Sequence, residues 1–302
     1  MKERILKSIF QKMPTQEKRL WKTWEEFPEA SEELDEFLQK AAPVLDRYAI
    51  DAEQIAQAYL TMAAQTMEAR LEFMRTGRYP AQWKQVVAEL YAEPSTMLPY
   101  VWALALTQFI WRQHILLRTF YQESLSRAQA PQRLLEIGSG HGLYAVLAMK
   151  RLAAKPYRFD IVDISETALE VTKAILQAWY PQQQENVFFS CQDITASAPP
   201  VKYDWITMGE VLEHVPEPLS LLQALRSWLQ PAGRLFITTC ANSPTIDHVY
   251  QFHTIQEIRE LLQQAGFQVE KECVAPSEDK PLEWMEKRKL DVSYAAVLSL
   301  SR

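Results

Sequence analysis

In the stretch EVLEHVPEP, residues 210 to 218, Glu210, Glu213 and His214 stand at positions i, i+3 and i+4. On a helix these positions share one face, so two carboxylates and an imidazole would converge there. Such a set suits a divalent cation of the magnesium, manganese, iron or zinc group. The imidazole alone could serve as a general base. The plainer alternative is a helix start whose acids complement the helix dipole while His214 caps or packs.

A second group of residues points to nucleotide chemistry. The run EIGSGHG contains Glu136, Gly138, Gly140 and Gly142, and its glycines allow a tight turn and close approach of backbone to a ligand. A dinucleotide fingerprint would place another small residue at 143, where Leu143 stands, and a phosphate-binding loop would need Gly-Lys-Ser/Thr. A tight strand-to-helix turn is the competing reading of the loop by itself. Asp163 ends the next apolar run, where a carboxylate can accept both hydroxyls of a ribose. Asp193 follows the run after that and can accept from an exocyclic amine, with Ile164 and Ile194 placed to sandwich a purine ring. Each residue is ambiguous alone; their recurrence at successive strand ends is not.

The elements that must position these residues fall into two halves. Residues 1 to 127 hold one glycine, Gly77, and no strand pattern. Ser31 reads as an N-cap, Asp51 with Gln54 as a capping box, and apolar residues recur at helical spacing. This half is expected to be an all-helical domain. AQAPQ, 128 to 132, reads as the joint. From Arg133 short apolar runs alternate with helical stretches: RLLEI, RFDIVD, NVFFS, YDWITM, RLFITT, FQVEKE and SYAAVLSL are the strand candidates. Ser165 reads as an N-cap between the second and third runs, and Thr254 with Glu257 forms a capping box that opens TIQEIRELLQQA. The alternation predicts an α/β domain over 128–302, a doubly wound, mostly parallel sheet.

The motifs LLEIGSGHG, IVDIS, CQDI, YDWITMGEVLEHV and LQPAGRLFITT together resemble the class I S-adenosylmethionine-dependent methyltransferases, over about 133 to 302. The resemblance implies a Rossmann-like sheet of seven strands, with the last antiparallel. It implies that Glu136 and the Gly138–Gly142 loop hold the methionine part of S-adenosylmethionine, Asp163 the ribose, and Asp193 and Ile194 the adenine. Gly209 and Glu210 would lie beside the sulfonium. The acidic stretch resembles that of ubiquinone-pathway O-methyltransferases and of small-RNA 3′-terminal 2′-O-methyltransferases. In the RNA enzymes this pattern binds a metal with a further histidine, for which TTCANSPTIDHVYQFHT offers His248, or less suitably His253. A possible metal site is thus Glu210, Glu213, His214 and His248, and the corresponding catalytic set is Glu213, His214 and His248.

Composition narrows the partners. With 302 residues, 48% hydrophobic and 23% charged, the chain reads as an ordinary globular protein. Its net charge of −6 and the acid-rich stretch from Glu25 to Glu36 argue against nucleic acid. The apolar run MLPYVWALALTQFIW is too short for a membrane span and predicts a buried helix. Three scattered cysteines and no secretory signal predict a cytoplasmic location. Within the helical half, Tyr100, Trp111, His114 and Tyr121 are candidates for an acceptor-pocket lid, the other readings being plain core and a homodimer platform. The expected activity is methylation of a small molecule, at oxygen. The alternatives are a cyclase or lyase releasing methylthioadenosine and a non-catalytic binding protein.

Overall fold

The computed structural model describes residues 1–128, 131–152, 157–194 and 201–301; residues 129 and 130 of the expected joint lie outside it. Seven strands form one sheet: β1 Arg133–Ile137, β2 Arg158–Asp163, β3 Val187–Cys191, β4 Tyr203–Gly209, β5 Leu229–Ala241, β6 Phe267–Pro276 and β7 Val292–Leu300. Their order is β3-β2-β1-β4-β5-β7-β6, and β7 runs antiparallel to both of its neighbours. All seven strand candidates are therefore strands, arranged as the resemblance implied.

The topology decides where a ligand can sit. The chain builds outward from β1 through β2 to β3, then returns to place β4 on the other side of β1. This reversal opens a crevice beyond the carboxyl ends of β1 and β4. The register sets Ile137 opposite Met208, so Gly138 and Gly209 emerge side by side. Alternate residues of each strand point to opposite faces. Leu134, Phe159, Ile161, Trp205 and Phe236 pack on one side, and Leu135, Val162, Ile206, Leu235 and Ile237 on the other.

Eight helices precede the sheet: α1 Lys2–Lys12, α2 Pro14–Glu26, α3 Glu29–Lys40, α4 Ala42–Arg47, α5 Ala52–Thr76, α6 Trp83–Val86, α7 Pro94–Ile110 and α8 Arg112–Arg127. A π-turn, Val87–Tyr91, extends α6. Among the described residues, five more lie between or beside the strands: α9 Leu143–Leu152, α10 Glu166–Trp179, α11 Pro218–Trp228, α12 Ile255–Gln264 and α13 Leu282–Lys287. The capping box of Asp51 and Gln54 forms in full, and Ser165 and Thr254 cap their helices. Ser31 does not cap: α3 begins earlier, behind Pro28, and Ser31 accepts a hydrogen bond from Lys2 Nζ at 2.9 Å. The buried run predicted from its apolarity is α7, which stops at an extended Trp111 before α8 begins.

The helical segment shares one apolar core with α9, α10 and one face of the sheet. Tyr121 belongs to this core, contrary to its expected place in a lid. It is fully buried, its ring meets those of Tyr144 and Phe236 at 4.8 Å each, and its hydroxyl lies 3.3 Å from Thr207 Oγ1. His114 lies two turns earlier on the same face of α8, and its place nearer the N-terminal end of the helix leaves it at the cavity wall while Tyr121 packs on the sheet.

Candidate active site

A cavity of about 240 Å³ lies beyond β1 and β4, roofed by the helical segment. Of the residues singled out in the sequence, Gly138, Gly140, Asp163, Ile164, Asp193, Ile194, Gly209, Glu210, His214 and His248 line it. Tyr100, Trp111 and His114 line its helical side. Glu136, Gly142, Glu213 and Tyr121 are not among its walls.

The glycine loop is built by conformation and by packing. Gly138, Gly140 and Gly142 all have positive φ. A Cβ on Gly138 would fall 2.6 Å from Val211 Cγ2, whereas one on Gly140 would enter open space. Gly142 starts α9 against Thr172, which explains its absence from the cavity wall. Glu136 lies under the loop, 2% exposed, with Oε2 lacking a hydrogen-bond partner. Burial, reinforced by Asp163, pushes its carboxyl well above the ordinary range.

Asp163 ties the second strand to this loop. Oδ2 accepts from the backbone N–H of Gly140 at 3.0 Å and from Ser139 Oγ at 3.2 Å, and Oδ1 accepts from Ser165 N at 2.8 Å. A carboxylate oxygen has two lone pairs, so Oδ1 keeps one acceptor position for a ribose hydroxyl. Glu210 supplies a further fitting feature: it lines the cavity, and its Oε1 is buried with no partner. An open glycine cradle, a strand-end carboxylate with an acceptor position left on Oδ1 and an unpaired carboxylate oxygen together fit a cationic nucleoside.

The acidic stretch departs from the helical face expected of it. Glu210 has φ 50°, and its N–H donates to Thr238 O and Oγ1 at 3.1 and 2.9 Å. Only Leu212–His214 turn, as a single 3₁₀ segment. Pro216 and Pro218 prevent its growth, because a residue preceding proline is driven to extended geometry, as Val215 shows with φ −104° and ψ 141°. Glu213 consequently points inward. It is fully buried, and its carboxylate accepts from Thr239 Oγ1 at 2.7 Å. Burial, with Glu210 nearby, drives its carboxyl well above the ordinary range. Glu210, Glu213, His214 and His248 do not form one tight four-donor group among the described residues, although Glu210 lies beside Glu213. Two smaller donor groups form instead, Glu213 with Cys240 and His248, and His214 with Asp247 and His248.

Asp247, which no sequence signal singled out beyond its place beside His248, organises the centre. Tyr100 donates to its two oxygens at 3.0 and 2.9 Å, Thr245 Oγ1 donates at 2.8 Å, and Tyr91 Oη lies at 3.4 Å. Burial raises the Asp247 carboxyl, but the imidazoles of His214 and His248 and these hydrogen bonds outweigh it, leaving it below the ordinary range. Nδ1 of His214 lies 2.8 Å from Tyr91 Oη and 3.1 Å from the backbone oxygen of Asp247. Nδ1 of His248 lies 2.6 Å from the carbonyl of Ser243. A carbonyl only accepts, so Nδ1 of His248 carries the proton and Nε2 holds the lone pair of the neutral ring. Burial lowers His248 to about 4, which keeps it neutral near pH 7. The two imidazoles meet edge to face, 4.7 Å between centroids.

Sequence reading also missed His141, Tyr144 and Tyr91. His141 lines the cavity, and burial lowers it to about 4; His114 across from it is lowered to about 3, by burial and by His141. Tyr144 packs so close to Gly209 that a Cβ there would lie 2.8 Å from its ring. The x of a G-x-G loop and the first turn of the following helix were the available signals for the first two. Tyr91 had none, being placed by a π-turn in a segment without a motif.

Comparison with known proteins agrees with this arrangement. Residues 110–272, a little over half of the chain, match the methyltransferase domain family, and the chain belongs to that family of class I S-adenosylmethionine-dependent methyltransferases. Among curated relatives it is 34% identical over 114 residues to a ubiquinone biosynthesis O-methyltransferase of Xanthomonas campestris, covering 37% of this chain and 44% of the relative. It is 33% identical over 109 residues to the enzyme of that name from Coxiella burnetii, covering 36% and 43%. The matched segment thus spans under half the length of these relatives. In structure it resembles the mitomycin 7-O-methyltransferase MmcR, with a TM-score of 0.55 at 14% identity over 83% of this chain and 71% of that one. It also resembles the methyltransferase SibL, with 0.53 at 19% identity over 83% and 74%. At these identities the likeness is one of fold. Among the described residues no helix is long and apolar enough to cross a membrane.

Proposed function

We propose that this chain is an S-adenosylmethionine-dependent methyltransferase that methylates a hydroxyl of a small organic acceptor. The carrying observation is that one cavity joins the glycine loop, Asp163, Asp193 and Glu210 to the His214–Asp247–His248 centre. The relatives named for O-methylation support the choice of oxygen. Residues 128–302 would hold the cofactor and residues 1–127 would select the acceptor.

S-adenosylmethionine, when bound, supplies a methyl group already activated on a positively charged sulfur. The residues therefore have to hold, align and shield the reactants more than activate them. Gly138 and Gly140 would hold the methionine end with Glu136 supporting the loop from beneath, Asp163 the ribose, and Asp193 with Ile164 and Ile194 the adenine. Glu210 would face the sulfonium, where an anion offsets the positive charge. His248 would take the acceptor proton on Nε2. A base of low pKa suffices because the hydroxyl becomes strongly acidic as its new bond to carbon forms. Asp247 would position both imidazoles, and Tyr100, Trp111 and His114 would close the acceptor side.

Calorimetry with S-adenosylhomocysteine tests the cofactor assignment. Wild-type protein should bind it, and Gly140→Arg and Asp163→Ala should each abolish or severely weaken binding. Unchanged binding in both variants would overturn the site.

A further inference from the structure

A second, larger cleft of about 1030 Å³ runs between α5, the α6 π-turn and the start of α7. It abuts the cavity described above: Met62 and Tyr100 line both, and Ile246 lines the cleft while the next residue, Asp247, lines the cavity. The partition is therefore one side chain thick, and Tyr100 forms it while holding Asp247 through its hydroxyl. A cavity of about 240 Å³ that must take a nucleoside and a methionine chain leaves little space for an acceptor. The cleft supplies that space on the side of the imidazole pair.

Its chemistry is uneven in a useful way. Ile55, Leu90 and Trp102 are buried and form an apolar floor. Glu68, Glu72 and Glu89 stand on its walls, and no lysine, arginine or histidine lines it among the described residues. Glu72 is paired with Arg75 and Glu89 takes a hydrogen bond from Gln85, but the side chains of Glu68, Gln65 and Gln82 have no such partner among the described residues. An anionic group in this cleft would meet the carboxylates of Glu68 and Glu89 with no cationic side chain among the described wall residues. Amides and an apolar floor suit an uncharged or cationic organic chain.

We infer that this cleft is the outer acceptor subsite, taking an elongated acceptor whose body is apolar and whose outer end is uncharged or cationic. The inference rests on the methyl-transfer reading above. It excludes phosphorylated and other polyanionic acceptors from the cleft and assigns Met62 and Tyr100 to the boundary between the subsite and the reacting hydroxyl.

The test uses the full chain, cofactor carrying a labelled methyl group, and a small-molecule extract of the source cells, with labelled products separated by charge. Label should appear in neutral or cationic products. Ala58→Trp and Met62→Trp, which fill the cleft and its inner boundary, should each reduce transfer by at least about tenfold. In Ala58→Trp the S-adenosylhomocysteine affinity should stay within about twofold of wild type, because Ala58 lines the cleft and not the cofactor cavity. Ala58 is half-buried on the cleft wall, so its variant remains informative if the buried Met62→Trp protein misfolds. Label confined to anionic products, or undiminished transfer in Ala58→Trp, overturns the cleft assignment alone. Cofactor binding without any labelled product overturns the methyl-transfer reading and the cleft assignment with it.

Discussion

The hydroxyl of Tyr91 lies 2.8 Å from Nδ1 of His214, across 123 residues of sequence. The same residue's carbonyl accepts from Ser165 Oγ at 2.8 Å, just beyond the strand that ends in Asp163. The π-turn of the helical segment is thereby joined to both the strand-end side carrying Asp163 and the imidazole side of the cavity. Tyr91→Phe should lower kcat about tenfold through a misplaced imidazole while S-adenosylhomocysteine affinity is unchanged. Equal loss in kcat and cofactor affinity would show that the tyrosine is structural.

Asp247 receives hydroxyl donors from Tyr100, Thr245 and Tyr91. Asp247→Ala leaves buried donors without an acceptor and should cost about 1–3 kcal/mol in urea denaturation. Asp247→Asn keeps an acceptor oxygen and should recover part of that stability. Its methyl transfer should stay depressed, because the charge facing both imidazoles is gone.

The acid limb of the pH profile follows from His248. A general base works deprotonated, and burial lowers this imidazole to about 4. Transfer should therefore hold through pH 6 and fall only as pH approaches that value. Titration of the His248 ring signals by NMR should show the same midpoint. A midpoint near the usual histidine value of about 6.5 would remove the argument for a buried, neutral base.

The three loop glycines should not respond alike. At Gly138 a Cβ would collide with Val211 at 2.6 Å, so Gly138→Ala should combine positive-φ strain with overpacking and destabilise by roughly 2–4 kcal/mol. At Gly140 nothing lies within 4 Å, so Gly140→Ala should cost only about 1–2 kcal/mol of backbone strain. Because Gly140 lines the cavity proposed for the cofactor, its larger effect should be on S-adenosylhomocysteine affinity. Thermal unfolding and calorimetry on both variants separate the two effects.

Chelation is expected to leave transfer unchanged. The Asp247 oxygens already take hydroxyl donors and Glu213 is occupied by Thr239, so the donor groups around His248 are engaged rather than presented to an ion. Elemental analysis of purified protein, with an assay after chelator treatment, checks this; lost activity restored by one divalent ion would reverse it.

Local patterns in the chain were enough to determine the sheet and which strand-end residues line the cavity. Strand periodicity, the glycine spacing and the carboxylates after β2 and β3 are short-range features, and the order of the strands brings their ends together. The same is true of the helix caps at Asp51, Ser165 and Thr254, where the bond spans three residues. What needed the tertiary structure was the direction of individual side chains around the reacting centre. Glu210 takes a left-handed φ because its N–H is claimed by Thr238, and the prolines beyond His214 hold the stretch to one 3₁₀ turn. Glu213 is thereby turned inward, and its backbone oxygen receives the N–H groups of Val249 and Tyr250. Tyr121 was drawn into the core by the packing of α8 on the sheet. Asp247 became central through Tyr100, 147 residues away. Contacts of that separation depend on how helices dock on the sheet, a packing outcome that periodicity along the chain does not encode.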